Sequence, residues 1–145
     1  MIPAFDSDGN LPAGIHFVIW TEFETRFVVN PHRRLLFEGL QSASAILKSV
    51  GCRTIYVDGS FVTAKEYPND FDVAWDHAFV DLHRLIQLEP IFFDFGNQRA
   101  TQKAKFRGEF FPSSSRADRA GTAFLEFFQI DKSTGKPKGI IGISL

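Results

Sequence analysis

Short apolar runs alternating with amphipathic stretches predict an α+β (α/β) fold, a small mixed sheet flanked by helices. Three observations carry this. Residues 31–50 repeat apolar side chains every three or four positions, as one face of a helix does. The runs RTIYVD (53–58) and DFDVAW (70–75) are rich in β-branched and aromatic residues, as strands are. The last residues, IIGISL, form another strand-like run. At 145 residues the chain is one domain by length, 1–145, large enough for a real core.

The elements follow in order. Residues 1–14 hold Pro3, Gly9, Pro12 and Gly14 and read as an extended arm. In TEFE, Thr21 stands three before Glu24, a capping box that starts a short helix. Asn30 caps the long helix and Pro31 fits its first position. Leu35, Leu36, Leu40, Ala43, Ile46, Leu47 and Val50 form its apolar face, and Gly51 stops it. Gly59 and Ser60 break the strand at 53–58, and a short irregular or helical piece follows. HRLIQL (83–88) is helical, and Pro90 opens a further helix through Lys105. GEFF (108–111) is a third short strand. AFLEFFQ (123–129) is helical with Asp118 as a cap, and STGKPKG (133–139) is a hairpin turn.

Composition bounds the function. Aromatic residues make up 14% of the chain, and 17 residues are Phe, which reads first as a dense core and second as a sticky interface. The single Cys52 excludes an internal disulfide and a cysteine-based zinc site within one chain. No run approaches the ~18 apolar residues of a membrane span. The N-terminus lacks the basic start and apolar core of a signal peptide, so a cytoplasmic protein is expected. The formal net charge of −1 gives no global attraction for nucleic acid. The densest basic stretch, RATQKAKFR with Arg99, Lys103, Lys105 and Arg107, reads as a solvated helix face or, less readily, as a phosphate contact.

The chemistry concentrates in DGSFVTAKEYPNDFDVAW, residues 58–75. Side chains alternate along a strand, so Asp70 and Asp72 share one face while Phe71 and Val73 take the other. Two carboxylates so close repel each other, which raises one pKa unless a cation sits between them. Mg²⁺ (or Mn²⁺) suits such a pair, since it takes oxygen ligands and bridges to substrate phosphates. Gly59 lets the backbone approach a ligand, and a helix starting after it would aim N–H groups at an anion. The Ser60 hydroxyl can donate to a phosphate oxygen, and Lys65 can neutralise further charge. A phosphate-holding turn beside paired metal ligands predicts phosphoryl or nucleotidyl transfer, chemistry that rests on positioning and charge neutralisation. Trp75, just past the pair, reads as core or as a surface for base stacking.

These residues resemble the signature of the nucleotidyltransferase superfamily with the polymerase-beta-type fold: Gly-Ser, a spacer of about ten residues, then Asp-x-Asp in a strand. Gly59 and Ser60 match the first element, and Asp70 and Asp72 match the metal pair. PAGIH, DGSFVT, PNDFD and FQIDKSTGKPKGII further resemble an uncharacterised bacterial and phage-associated family placed in that superfamily. The resemblance implies a mixed sheet with Asp70 and Asp72 on its second strand. It also implies a third carboxylate on a neighbouring strand, with Glu109 the first choice and Asp94 the second. The implied activity is transfer of a nucleoside monophosphate from a nucleoside triphosphate to a protein or RNA acceptor, with transfer RNA one such acceptor. The implied setting is a toxin–antitoxin or phage-defence pair, with a protein partner or a dimer mate holding the acceptor. The alternative is a catalytically inactive interaction module on the same fold, motivated by the open choice of third acid and the many Phe residues.

Overall fold

The computed structural model describes residues 1–145. Five strands form one mixed sheet: β1 (Gly14–Val18), β2 (Thr54–Asp58), β3 (Phe71–Trp75), β4 (Gly108–Pro112) and β5 (Gly139–Ser144). Their spatial order is β1-β5-β2-β3-β4. β1 runs parallel to β5 and β3 parallel to β4, while β2 is antiparallel to both β5 and β3. The helices are α1 (Trp20–Phe27), α2 (Pro31–Ser49), α3 (Leu82–Leu88), α4 (Gly96–Phe106) and α5 (Phe124–Phe127). The mixed α+β class expected from the sequence is the one observed.

Alternation along the strands divides the sheet into two unlike faces. Ile55, Val57, Phe71, Val73, Trp75, Phe110, Ile141 and Ile143 point to one side and join the main core with the helices, including Phe23, Phe27, Phe37 and Leu47. Ten of the 17 Phe residues are buried, eight of them in this core. The opposite face carries only a small cluster, Ala74, Phe111, Phe128 and Ile140, covered by α5. That face is left open at one end, where β2 finishes and β3 and β4 begin.

The long helix forms as its spacing requires. The Asn30 side chain accepts from the Arg33 N–H at 2.8 Å, and Pro31 opens the first turn. Gly39, a weak residue for a helix interior, is needed for packing. A Cβ there would lie 1.9 Å from the Phe106 carbonyl oxygen, so α2 and the end of α4 touch backbone to backbone. Leu35 is the exception on the expected apolar face; it is 46% exposed and borders a cleft.

Several expectations are corrected. The arm ends in a strand, β1, at the sheet edge, and it is tied down before that. Leu11 is buried, and the Asn10 side chain donates to Asp131 at 2.9 Å. The first helix starts at Trp20, with Ile19 at the cap and Glu22, not Glu24, accepting the Ile19 N–H; Glu24 pairs with Arg34 at 2.5 Å instead. Asp118 accepts the Thr122 N–H in a turn, and Ala123 is the residue capping α5. The helix expected from Pro90 through Lys105 is broken. A 3₁₀ turn spans Pro90–Phe93, and Asn97, Gln98 and Arg99 are left-handed. The reason is tertiary. Phe92 and Phe106 stack at 5.5 Å in the same core. A straight helix would hold residues fourteen apart at about 21 Å.

β4 is an edge strand without an exposed ladder. The fully buried Gln102 accepts the Phe110 N–H through Oε1 at 2.8 Å and donates Nε2 to the Ile91 carbonyl at 3.1 Å. One side-chain amide replaces a neighbouring strand there and shields the edge.

Candidate functional site

Register assembles a row of carboxylates at the open end of the sparsely covered face. Asp58 stands directly opposite Asp72 across the antiparallel pair, and Asp72 stands beside Glu109 across the parallel pair. Strand spacing places such neighbours about 4.8 Å apart at the backbone. Asp70 precedes β3 rather than lying in it, and the strand carrying Asp72 is the third, not the second, because β1 was unforeseen. Four acids therefore line one end of the sheet: Asp70, Asp72 and Glu109 are candidates in the sequence, and Asp58 is not.

Two of the four are already neutralised. Lys138 ion-pairs with Asp58, and Lys103 holds Glu109 at 2.8 Å. Asp70 and Asp72 accept no hydrogen bond and form no ion pair. Burial, and then the Asp58, Glu109 and Asp70 charges, push the Asp72 carboxyl up to about 7. Burial, and then Glu109, raise Asp70 as well, opposed by Lys103 and Lys65. Burial raises Asp58 in spite of Lys138. An unpartnered carboxylate among like charges is the setting a dication relieves.

Gly59 and Ser60 flank this row as expected, with one difference. A 3₁₀ turn, Ser60–Val62, follows Gly59 in place of a helix. Gly59 has φ +87°, and a Cβ on it would lie 3.2 Å from Asp72 Oδ2 and 3.3 Å from the Asp72 nitrogen. Its backbone thus lies against the carboxylate, which only glycine permits without crowding. Gly59→Ala is expected to lose about 1–2 kcal/mol of stability through the left-handed strain. It is also expected to weaken Mn²⁺ binding at least about tenfold by displacing Asp72, an effect worth ~1.4 kcal/mol. Thermal denaturation and Mn²⁺ titration check the two effects separately, and unchanged Mn²⁺ affinity would remove Gly59 from the site.

A cleft of about 270 Å³ opens beside Asp58 and Asp72, bordered by Gly59, Ser60, Lys132 and Lys138. It is smaller than the ~300–1,000 Å³ of typical ligand pockets, a size suited to a phosphate tail with the rest of a ligand outside. Lys138 lies in the stretch whose sequence reads as a plain hairpin turn, and Lys132 immediately precedes it. Nothing in their spacing signals the site; the long-range contact with Asp58 does. A second cleft, about 370 Å³, opens on the Asp70 side between α2 and α4. The largest cavity, about 620 Å³, lies on α1 beside Met1 and contains none of these groups.

The remaining candidates fall elsewhere. Asp94 accepts the Gly96 N–H at 3.1 Å and the Thr101 hydroxyl at 2.9 Å, so it organises the turn into α4 and does not join the acid row. Lys65 is exposed and outside the 270 Å³ cleft, and it reaches Asp70 only through space. Trp75 is fully buried against Phe93 on the core face, which removes it as a stacking surface. The basic stretch is divided: Arg99 lies over the Phe95 and Phe111 rings, and Lys105 pairs with Glu89.

One positioning residue has no sequence signature. Arg33 is buried, and its guanidinium donates to the carbonyls of Phe27 at 3.0 Å, Phe61 at 2.6 Å and Thr63 at 3.1 Å, and also to Lys65. With Asn30 donating to the Glu66 carbonyl, it ties the whole Gly59–Asp70 connection to the start of α2.

The residues fit a hard dication by chemistry, because two unpartnered carboxylates offer oxygen ligands beside a phosphate-sized cleft. As the side chains stand, no three His, Cys, Asp or Glu groups converge on one point, since Glu109 is turned onto Lys103 and Asp58 onto Lys138. No helix is long and apolar enough to cross a membrane. Residues 3–144 match a family described as a family of unknown function, DUF6932. No curated protein and no solved structure matches the chain.

Proposed function

The chain belongs to the DUF6932 family, whose function is unknown, and we propose that it is a nucleotidyltransferase. It would move a nucleoside monophosphate from a nucleoside triphosphate to a hydroxyl of an RNA or protein acceptor. One observation carries this reading. Asp70 and Asp72 lack any partner, each lines a cleft of its own, and Gly59 is pressed against Asp72.

In this reading the triphosphate tail enters the 270 Å³ cleft, where Lys132 and Lys138 meet its charge and the Ser60 hydroxyl donates to it. Asp70 and Asp72 would hold Mg²⁺ or Mn²⁺, which supplies charge neutralisation and polarisation of the phosphates. The acceptor oxygen forms a bond to the α-phosphorus. The bond from that phosphorus to the bridging oxygen breaks, and pyrophosphate leaves with the electron pair. Glu109, the acid beside Asp72, takes the hydroxyl proton, and the adjacent Lys103 stabilises the carboxylate between turnovers.

The test supplies each α-labelled nucleoside triphosphate, with Mg²⁺ or Mn²⁺, to the protein in the presence of total cell RNA and protein. Label transfer by the wild type, lost in Asp70→Asn/Asp72→Asn, is the expected result. Lys132→Ala is expected to weaken binding of the triphosphate about tenfold, the worth of one charge-assisted contact.

A second reading, the catalytically inactive binding module, draws on a specific feature. Lys138 and Lys103 already neutralise Asp58 and Glu109 without any metal. Exposed Phe79, Leu82 and Ile86 would then be the partner surface. No label transfer together with no triphosphate binding would select this reading.

A further inference from the structure

The second cleft calls for its own ligand. It shares no lining residue with the triphosphate cleft, and its Asp70 stands two residues before the Asp72 of that cleft. One wall comes from α2, with His32 and the exposed Leu35; the other comes from the end of α4, with Lys103 and Arg107; Asn69 and Asp70 lie between. His32 uses Nε2 on the Pro68 carbonyl, which leaves Nδ1 without a partner.

Arg107 is the unexplained residue. Of the four cations in the stretch from Arg99, it alone has neither an aromatic ring nor a carboxylate against it. Its guanidinium donates no hydrogen bond to the protein. Its backbone is left-handed, φ 68° and ψ 23°, at the end of α4. Glycine is the usual residue at such a helix end, because a side chain there is strained. The chain instead holds an arginine in a strained conformation, at the rim of a cleft, with its charge unused. An outlier of this kind points to a ligand.

Resting on the nucleotidyltransferase reading, we propose that this cleft is the acceptor subsite, and that the acceptor is a nucleotide end bearing a phosphate next to the reacting hydroxyl. Arg107, with Lys103 behind it, grips that phosphate. Leu35 gives an apolar shelf for sugar and base. The hydroxyl then faces Asp70 and the Glu109 that neighbours it. A nucleotide presents this combination of anion, ring and hydroxyl in one unit for a cleft of about 370 Å³, whereas the Asp or Glu side chain of an acidic peptide carries the anion without the ring. The basic stretch thus contributes one phosphate grip and not a continuous nucleic-acid surface.

The probe is a fluorescently labelled single-stranded oligoribonucleotide, followed by anisotropy with wild type, Arg107→Glu and Arg107→Gly. Arg107→Glu is expected to weaken binding at least about tenfold and to lower the salt slope by about one. Arg107→Gly is expected to melt at a higher temperature, through relief of the left-handed strain, and still to lose the oligonucleotide. A merely structural arginine would not give that pair of results. Competition separates the sources. Displacement by AMP at similar concentration makes a free nucleotide the acceptor, whereas displacement by unlabelled RNA alone makes it a strand end; both support the subsite. Displacement by an acidic peptide but not by AMP or RNA overturns it, as does wild-type binding that Arg107→Glu leaves unchanged, or no oligonucleotide binding by the wild type at all. Binding of the Mg²⁺–triphosphate is measured alongside. If it is retained while Arg107 has no effect, the subsite fails and the enzyme reading stands. If it is absent while Arg107 controls RNA binding, the enzyme reading fails and the cleft remains a nucleotide site.

Discussion

Asp72→Asn is expected to raise the melting temperature of the metal-free protein at pH 8 and, under the proposed nucleotidyltransferase function, to abolish transfer. Burial and the surrounding acids lift this carboxyl to about 7 in the folded state. In the unfolded chain it titrates near 3.9. The folded protein therefore binds the proton more tightly, and stability falls as pH rises between those two values. The favourable contribution is complete below about pH 4 and is lost once pH passes about 7. At pH 8 the ionised carboxylate destabilises the fold on the order of 2–4 kcal/mol, since each tenfold difference in proton affinity between the two states is worth about 1.4 kcal/mol. Asn has the same shape and no charge, so it removes that penalty. The check is a series of melting curves from pH 4 to pH 8 in EDTA. The wild type should decline across the range, and Asp72→Asn should decline less. Asp58 and Asp70, raised in the same direction, keep the second profile from being flat. Mg²⁺ at pH 8 should restore the wild type and leave the variant unmoved. Parallel pH profiles for the two proteins would refute the half-buried, unpartnered carboxylate. The activity loss should reach about a thousandfold, the worth of several kcal/mol of metal-centred stabilisation. Gain in stability with loss of activity is the pattern expected of a group held in a costly state for function.

Arg33→Met unfolds the connection between Gly59 and Asp70 and costs about 3–5 kcal/mol, a large part of the ~5–15 kcal/mol that holds a domain together. The arginine is buried with no carboxylate near it, and backbone carbonyls replace its water. Its planar fork reaches several at once, and the Phe61 ring lies 5.2 Å beneath it. Methionine fills the space but leaves those carbonyls without donors, at about 1–3 kcal/mol for each one that water cannot reach. Arg33→Lys keeps the charge but not the fork, so its loss should be intermediate. Urea denaturation gives the two stabilities, and limited proteolysis reports the loop, where new cleavage should appear within 63–69. A variant as stable and as protease-resistant as the wild type would show that the loop holds itself. The consequence for the site is direct, because Gly59 and Asp72 face each other across this loop. Ser60 and Asp70 should be displaced together.

The parts of this molecule readable in the sequence are those whose cause is local. The long helix could be read because its apolar spacing, its Asn30 cap and Pro31 all lie within twenty residues. β2, β3 and β4 were legible as β-branched and aromatic runs, and Asp70 and Asp72 as a pair, since side-chain alternation needs only two residues. The Gly59–Ser60 break was equally plain. β1 was hidden because GIHFV is short and sits after a turn-rich stretch, and its strand state comes from pairing with β5, more than a hundred residues away. The helix from Pro90 had a local start signal and still broke, since two Phe residues had to reach one core.

The site divides in the same way. The sequence alone determined the chemistry on offer: paired acids behind a glycine turn, in a chain with one core and no membrane-length helix. Only the tertiary structure decided which groups complete it. Asp58 and Glu109 flank Asp72 because of strand register, and a shift of one residue would send Asp58 to the other face. Lys138 meets Asp58 across eighty residues, Arg33 holds a loop by its carbonyls, and Arg107 stands unpaired at the end of α4. Each of these depends on where strands and helices dock, a property of the whole packed chain. The motif residues depend only on their neighbours.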